Sequence, residues 1–115
     1  MNTTLQAQKI LDHAVAENLY NDVILQINKD FARAAVDEHF ASETEPRSLV
    51  RRLVALLFEL ITTNFESYLN LLYTIDVPEQ RIKQLPEQEI DKIAQAVAVL
   101  ILKREWQKVQ FKNRY

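Results

Sequence analysis

Apolar side chains recur at Leu11, Val15, Leu19, Val23, Ile27 and Phe31, a four-residue spacing that stays on one slowly rotating face of an α-helix. The pattern predicts helix from about residue 4 to residue 36. Asn18, Asn21 and Asp22 fall inside it, and such side chains favour caps and turns over helix interiors. One bent helix and two shorter ones both fit, and two segments are the expectation. Residues 37–45 are polar and lead into Pro46. A cap at Ser42 or Thr44 with Pro46 in the first turn is a good helix start, and a second major helix is predicted to run to about Thr74. Leu53, Leu57, Leu60, Ile61, Phe65, Tyr68, Leu72 and Ile75 form one face of it. Val50, Val54, Phe58, Leu69 and Tyr73 widen that face, which predicts burial on more than one side and a central place in the fold.

The same helix carries Glu59, Thr63, Glu66, Asn70 and Thr74 on a single stripe. That stripe reads as a solvated face and argues against a bilayer span, since two carboxylates in lipid are costly. Asp76-Val77-Pro78-Glu79 then reads as a capping box: aspartate at the cap, proline in the first turn, glutamate at the third position. It predicts a short helix that Pro86 ends or redirects. A last helix is expected over about residues 87–111, with Ile90, Ile93, Val97, Leu100, Ile101 and Trp106 on its apolar side. The expected architecture is all-α, a compact bundle of three to five helices in one domain spanning residues 1–115. Residues 45–75 would pack centrally against residues 87–111, bringing Phe65, Tyr68 and Leu72 to the last helix, with the first helical region covering the remaining face.

Composition sharpens this picture mainly by subtraction. The 115 residues include no glycine, where ordinary usage would supply roughly eight. That removes the dinucleotide fingerprint, the phosphate-binding P-loop and the glycine-flanked serine elbow, and it disfavours tight hairpins. It also means helices must end without the residue best suited to the left-handed conformation, and the stretch after Val36 is where that is expected to show. There is no cysteine, hence no disulfide framework and no thiolate nucleophile or ligand. Residues 1–10 lack a basic segment followed by an apolar run, so no signal peptide is visible, and a cytoplasmic location is expected.

The net charge of −2 is unevenly spread. Residues 1–46 hold three basic against eight acidic side chains, whereas residues 103–115 hold five against one. The best candidate contact segment is therefore the C-terminal KREWQKVQFKNRY, where Lys103, Arg104, Lys108, Lys112 and Arg114 interleave with Trp106, Phe111 and Tyr115. Basic residues can neutralise phosphates while aromatic rings stack on bases. The same residues also suit a helix end, where cations complement the dipole and Trp106 serves as core. Arg47, Arg51 and Arg52 form a second, smaller cluster, best read as partners for the acids of residues 37–45. His13 lies four residues before Glu17, and His39 follows two acids. Ile10 and Val36 occupy the positions where helical metal sites place glutamate, so no metal ligands and no cofactor are assigned. Glu59 and Glu66, two turns apart, read as part of the solvated stripe rather than as an acid–base pair.

Asn28-Lys29-Asp30-Phe31, YLNLLYTIDV (residues 68–77) and LKREWQKV (residues 102–109) resemble segments of a group of small all-helical bacterial proteins without an assigned activity. The resemblance spans the chain from about residue 28 onward. It implies a compact helical bacterial protein and brings no catalytic residue, cofactor or partner with it. No residue constellation nominates an enzyme. The expected function is a non-enzymatic interaction or scaffold role through a protein partner or self-association, as in a homodimer, away from membranes. The alternative is a nucleic-acid-associated protein using Arg104, Lys108, Lys112 and Arg114.

Overall fold

The first apolar stripe folds as two helices, α1 (Thr3–Ala16) and α2 (Tyr20–Arg33). The computed structural model describes residues 2–113, and Asn2 starts α1 by accepting a hydrogen bond from the Leu5 N–H at 3.1 Å. The break comes where the asparagine forecast it. Asn18 takes a left-handed conformation (φ 59°), the Leu19 N–H donates to the Ala14 carbonyl at 2.8 Å and the Asn18 N–H to that of Val15 at 3.0 Å. This paired 6→1 and 5→2 arrangement is the Schellman motif.

The motif recurs twice, always without glycine. Ala35 (φ 58°) closes α2, with Val36 N–H on the Phe31 carbonyl at 2.9 Å and Ala35 N–H on that of Ala32 at 3.1 Å. Asp76 (φ 69°) closes α4 (Phe65–Ile75), with Val77 N–H on the Leu72 carbonyl at 3.0 Å and Asp76 N–H on that of Tyr73 at 3.1 Å. In each case the next residue is aliphatic: Leu19 and Val36 pack against the core and Val77 is buried, supplying the apolar contact that accompanies this helix end.

Asp76 is therefore a helix stop rather than the N-terminal cap of a capping box. The short helix that follows, α5 (Glu79–Lys83), begins after Pro78 with no side-chain cap. Likewise Pro46 occupies the first turn of α3 (Pro46–Thr63), but the position before it is Glu45, with no side-chain cap. Neither Ser42 nor Thr44 caps it; the Thr44 hydroxyl donates to the Ala41 carbonyl at 2.6 Å. The second major helix also does not run through to Thr74. Thr62 and Thr63 turn their hydroxyls back onto the Phe58 and Glu59 carbonyls. Asn64 then leaves helical geometry (φ −153°, ψ 75°) and caps α4 by accepting from the Ser67 N–H at 3.2 Å. Both habits let side chains compete with the helical backbone. With this break, the described residues form six helices and no strand, one helix more than the upper end of the expected range.

The central place expected for residues 45–75 belongs instead to the last helix. α6 (Ile90–Lys112) packs against α1, α2, α3 and α4 and buries Ala94, Val97, Ala98, Ile101, Leu102, Trp106 and Val109. Its 23 residues reach about 34 Å at 1.5 Å per residue, close to the 36 Å long axis of the molecule. Tyr68 and Leu72 enter the core as expected, while Phe65 stays 54% exposed. None of the helices among the described residues is long and apolar enough to cross a membrane.

Residues 37–45 are held by α2. Asn28 brackets Phe40 from both sides, donating to its carbonyl and accepting from its N–H, each at 2.8 Å. Asn21 accepts from the Glu43 N–H at 2.8 Å, and the Tyr20 hydroxyl donates to the Thr44 carbonyl. Burial, with Glu45 adding repulsion, pushes the Tyr20 hydroxyl up to about 12. The bracket seats Phe40 against Phe31, ring centroids 6.1 Å apart, under the Arg52 guanidinium at 4.6 Å.

Asn28→Ala leaves a donor and an acceptor at Phe40 unmatched and is expected to destabilise the fold by about 2 kcal/mol in chemical denaturation. Ala35→Gly removes the left-handed penalty on a Cβ and is expected to stabilise it by about 1 kcal/mol, less what glycine adds to the entropy of the unfolded chain.

Candidate functional site

Arg104, Lys108 and Lys112 step along α6 at four-residue intervals and so share one helix face. Opposite them, Gln26, Lys29, Asp30 and Arg33 line α2, and the two rows enclose an open groove of about 620 Å³. Of these two rows, only the C-terminal one stands out in the sequence. Two of the three basic residues in the acidic first third of the chain, Lys29 and Arg33, complete the groove. Their one-turn spacing was visible in the sequence; their meeting with α6 was not. Arg114 lies outside the described residues. Trp106, 8% exposed, belongs to the core, whereas Phe111 at the groove's C-terminal lip is 62% exposed.

The three described nominees each have an internal partner. Arg104 donates from Nε to the Asp76 carbonyl and from Nη2 to Asp76 Oδ2, both at 3.0 Å. It thereby clamps the left-handed residue that ends α4, where a cation also meets the negative end of the helix dipole. Lys108 Nζ sits 2.7 Å from Asp30 Oδ2 and 3.5 Å from Glu105 Oε1. Lys112 Nζ donates to the neutral Gln26 Oε1 at 3.0 Å.

Beneath the lysines lies a polar cluster that is absent from the sequence expectations. Asp30 is 1% exposed and Glu105 fully buried. Neither Glu105 oxygen receives a hydrogen bond from a donor, so a carboxylate there would be poorly compensated. Burial, reinforced by Asp30, pushes the Glu105 carboxyl up to about 9 against the opposing pull of Lys108. At neutral pH it is protonated and donates to Asp30. Burial works to raise Asp30 as well, but hydrogen bonds from Glu105, Lys108 and Gln26, with the charge of Lys108, hold it below the usual carboxylate range. Asp30 and Lys108 then cancel, leaving a neutral unit inside the fold. One signal could have exposed this: Glu105 lies four residues from both Ile101 and Val109, on the apolar stripe of the helix.

The other nominated chemistry disperses. His13 and His39 are exposed, and among the described residues no group of three His, Asp or Glu side chains could hold a metal. Glu59 and Glu66 are exposed and fall on different helices because of the break at Asn64. Of Arg47, Arg51 and Arg52, Arg52 alone pairs with an acid of residues 37–45 among the described residues, Glu38 at 2.7 Å. A different surface emerges on α4, where Phe65, Leu69 and Tyr73 are 54%, 49% and 85% exposed.

The buried acid sets a pH dependence. With Glu105 raised from 4.5 to about 9, the folded chain keeps a proton that the unfolded chain releases between those values. Its contribution is intact below about 4.5, falls by roughly 1 kcal/mol per pH unit and is gone above 9. Asp30, lowered on folding, acts in the opposite sense, its stabilisation being lost in acid. Denaturation curves at pH 5, 7 and 9 should show declining stability, and Glu105→Gln should flatten the decline. Comparison of the chain with models of protein families, with curated proteins and with solved structures found no match.

Proposed function

We propose that this protein is a non-enzymatic interaction protein that associates with a second copy of itself through α4. The observation that carries the reading is the exposed stripe of Phe65, Leu69 and Tyr73, three large apolar side chains at four-residue steps on one face of a helix. The adjoining face of α4 supplies Tyr68, Leu71, Leu72 and Ile75 to the core, and although the Phe65 ring packs 5.3 Å from that of Tyr68, all three stripe residues keep about half or more of their surface in solvent. Apolar surface grouped in this way favours burial against a partner.

The order aromatic–leucine–aromatic is self-complementary. A two-fold axis through Leu69 sets Phe65 of one copy against Tyr73 of the other, the arrangement an isologous interface demands. Glu66 is the only charge on α4, and this symmetry carries the two copies of it to opposite ends of the seam. A single short helix offers less than the standard interface area, so the dimer is expected to be weak, with Kd of about micromolar or above. The cysteine-free composition fits a reducing compartment, and the cytoplasm is the location this reading assigns.

Sedimentation equilibrium over a broad concentration range should show a monomer–dimer equilibrium. Leu69→Asp, at an exposed position, should weaken it by roughly tenfold or more with an unchanged melting temperature. A chain that stays monomeric at every concentration would overturn the reading.

A further inference from the structure

Charge in the groove between α2 and α6 is less balanced than its pairings suggest. Asp30 is the one carboxylate among the described lining residues, and Lys108 already neutralises it. Arg104 is committed to Asp76. Three cations make no ion pair among the described residues: Lys29 and Arg33, exposed one turn apart on α2, and Lys112, which donates to a neutral amide; Asp22 borders the adjoining cleft beside Lys29 and Lys112. In a chain of net charge −2, this concentrates positive potential in one concave place, where low-dielectric walls focus it.

We propose that this groove binds a nucleotide, with its phosphate between Lys29, Arg33 and Lys112 and its base against Phe111. Three cations exceed what one carboxylate would balance and match a phosphate monoester or diester run, which Lys and Arg bind by charge-assisted hydrogen bonds. The volume of about 620 Å³ falls within the range of small-ligand sites, roughly 300–1,000 Å³. Gln107 and Gln110 on the α6 wall carry amides that both donate and accept, suited to the edge of a base. The exposed Phe111 ring offers a stacking face, and stacking on an aromatic side chain is tolerant of base identity. A duplex is disfavoured: the groove is recessed between helices, and the acidic remainder of residues 1–46 repels a long polyanion. The ligand is a free nucleotide or a short single strand. The proposal rests on residues separate from the α4 stripe, so either can fail alone.

The test uses the full chain at low salt, with adenosine monophosphate, a short fluorescein-labelled oligothymidylate and inorganic phosphate as probes. Binding of the monophosphate alone identifies a free nucleotide, and tighter binding of the oligonucleotide identifies a single strand; either supports the site. The double variant Lys29→Ala/Arg33→Ala, at exposed positions, should weaken binding by roughly tenfold or more and flatten its salt dependence, with an unchanged melting temperature. Phe111→Ala should weaken both nucleotide probes while leaving inorganic phosphate unaffected. Lys9→Ala, a cation outside the groove, should change nothing. Absence of binding by both nucleotide probes at low salt overturns the proposal. So does binding that survives the double variant, or inorganic phosphate binding as tightly as the monophosphate.

Discussion

Four helices bury their apolar faces against α6, and the demands of that shared contact propagate through the molecule. A helix surrounded in this way has little surface left for charge, so its polar residues are pushed towards its ends or neutralised in place. Small residues, Ala94 and Ala98, sit among the larger Val97, Ile101 and Leu102, letting neighbours approach the pillar closely. The C-terminal half cannot be made wholly apolar, because it must also reach the ends of α2 and α4. Glu105, Lys108 and Arg104 make those connections.

The cluster of Asp30, Glu105 and Lys108 shows how such a connection is tolerated in a core. Removing two carboxylates and an ammonium from water is expensive, and their attraction repays it only when the geometry leaves no charge unmatched. Here one carboxyl keeps its proton, so the buried set is neutral and Glu105 acts as a donor rather than a second anion. The arrangement joins α2 to α6 at the floor of the groove. It also positions Lys108 inward, which separates the lysine that holds the fold from the cations that face solvent.

A glycine-free chain that still needs sharp helix ends meets a second constraint. Asn18 and Asp76 place a short polar side chain in the left-handed region, where asparagine and aspartate are the better-tolerated alternatives. Ala35 has no such help. Its conformation is held by the hydrogen bonds at the end of α2, by burial of the flanking Ala34, and by the loop that Asn28 fastens at Phe40. The polar stretch after Val36 is thus an ordered connection whose backbone groups are met by α2 side chains.

What the sequence determined is what local periodicity and residue chemistry can determine. The four-residue spacing made the protein helical, Asn18 split the first stripe, Pro46 opened α3, and the polar stripe of Glu59, Thr63, Glu66 and Asn70 stayed in solvent. Asp76 ends α4 where its spacing suggests a helix start, and Asn64 splits a helix expected to run to Thr74, because a residue suited to caps does not announce which end of a helix it will serve, or whether the helix on either side will yield. Tertiary structure alone decided that α6 is the pillar, that Glu105 lies fully buried against Asp30, and that Lys29 and Arg33 face the basic row of the last helix. The contacts that join α2 to α6, Asp30 with Lys108 and Gln26 with Lys112, link residues 78 and 86 positions apart. Their energies depend on burial and on which charges meet across a packed interface, quantities that no spacing along the chain encodes.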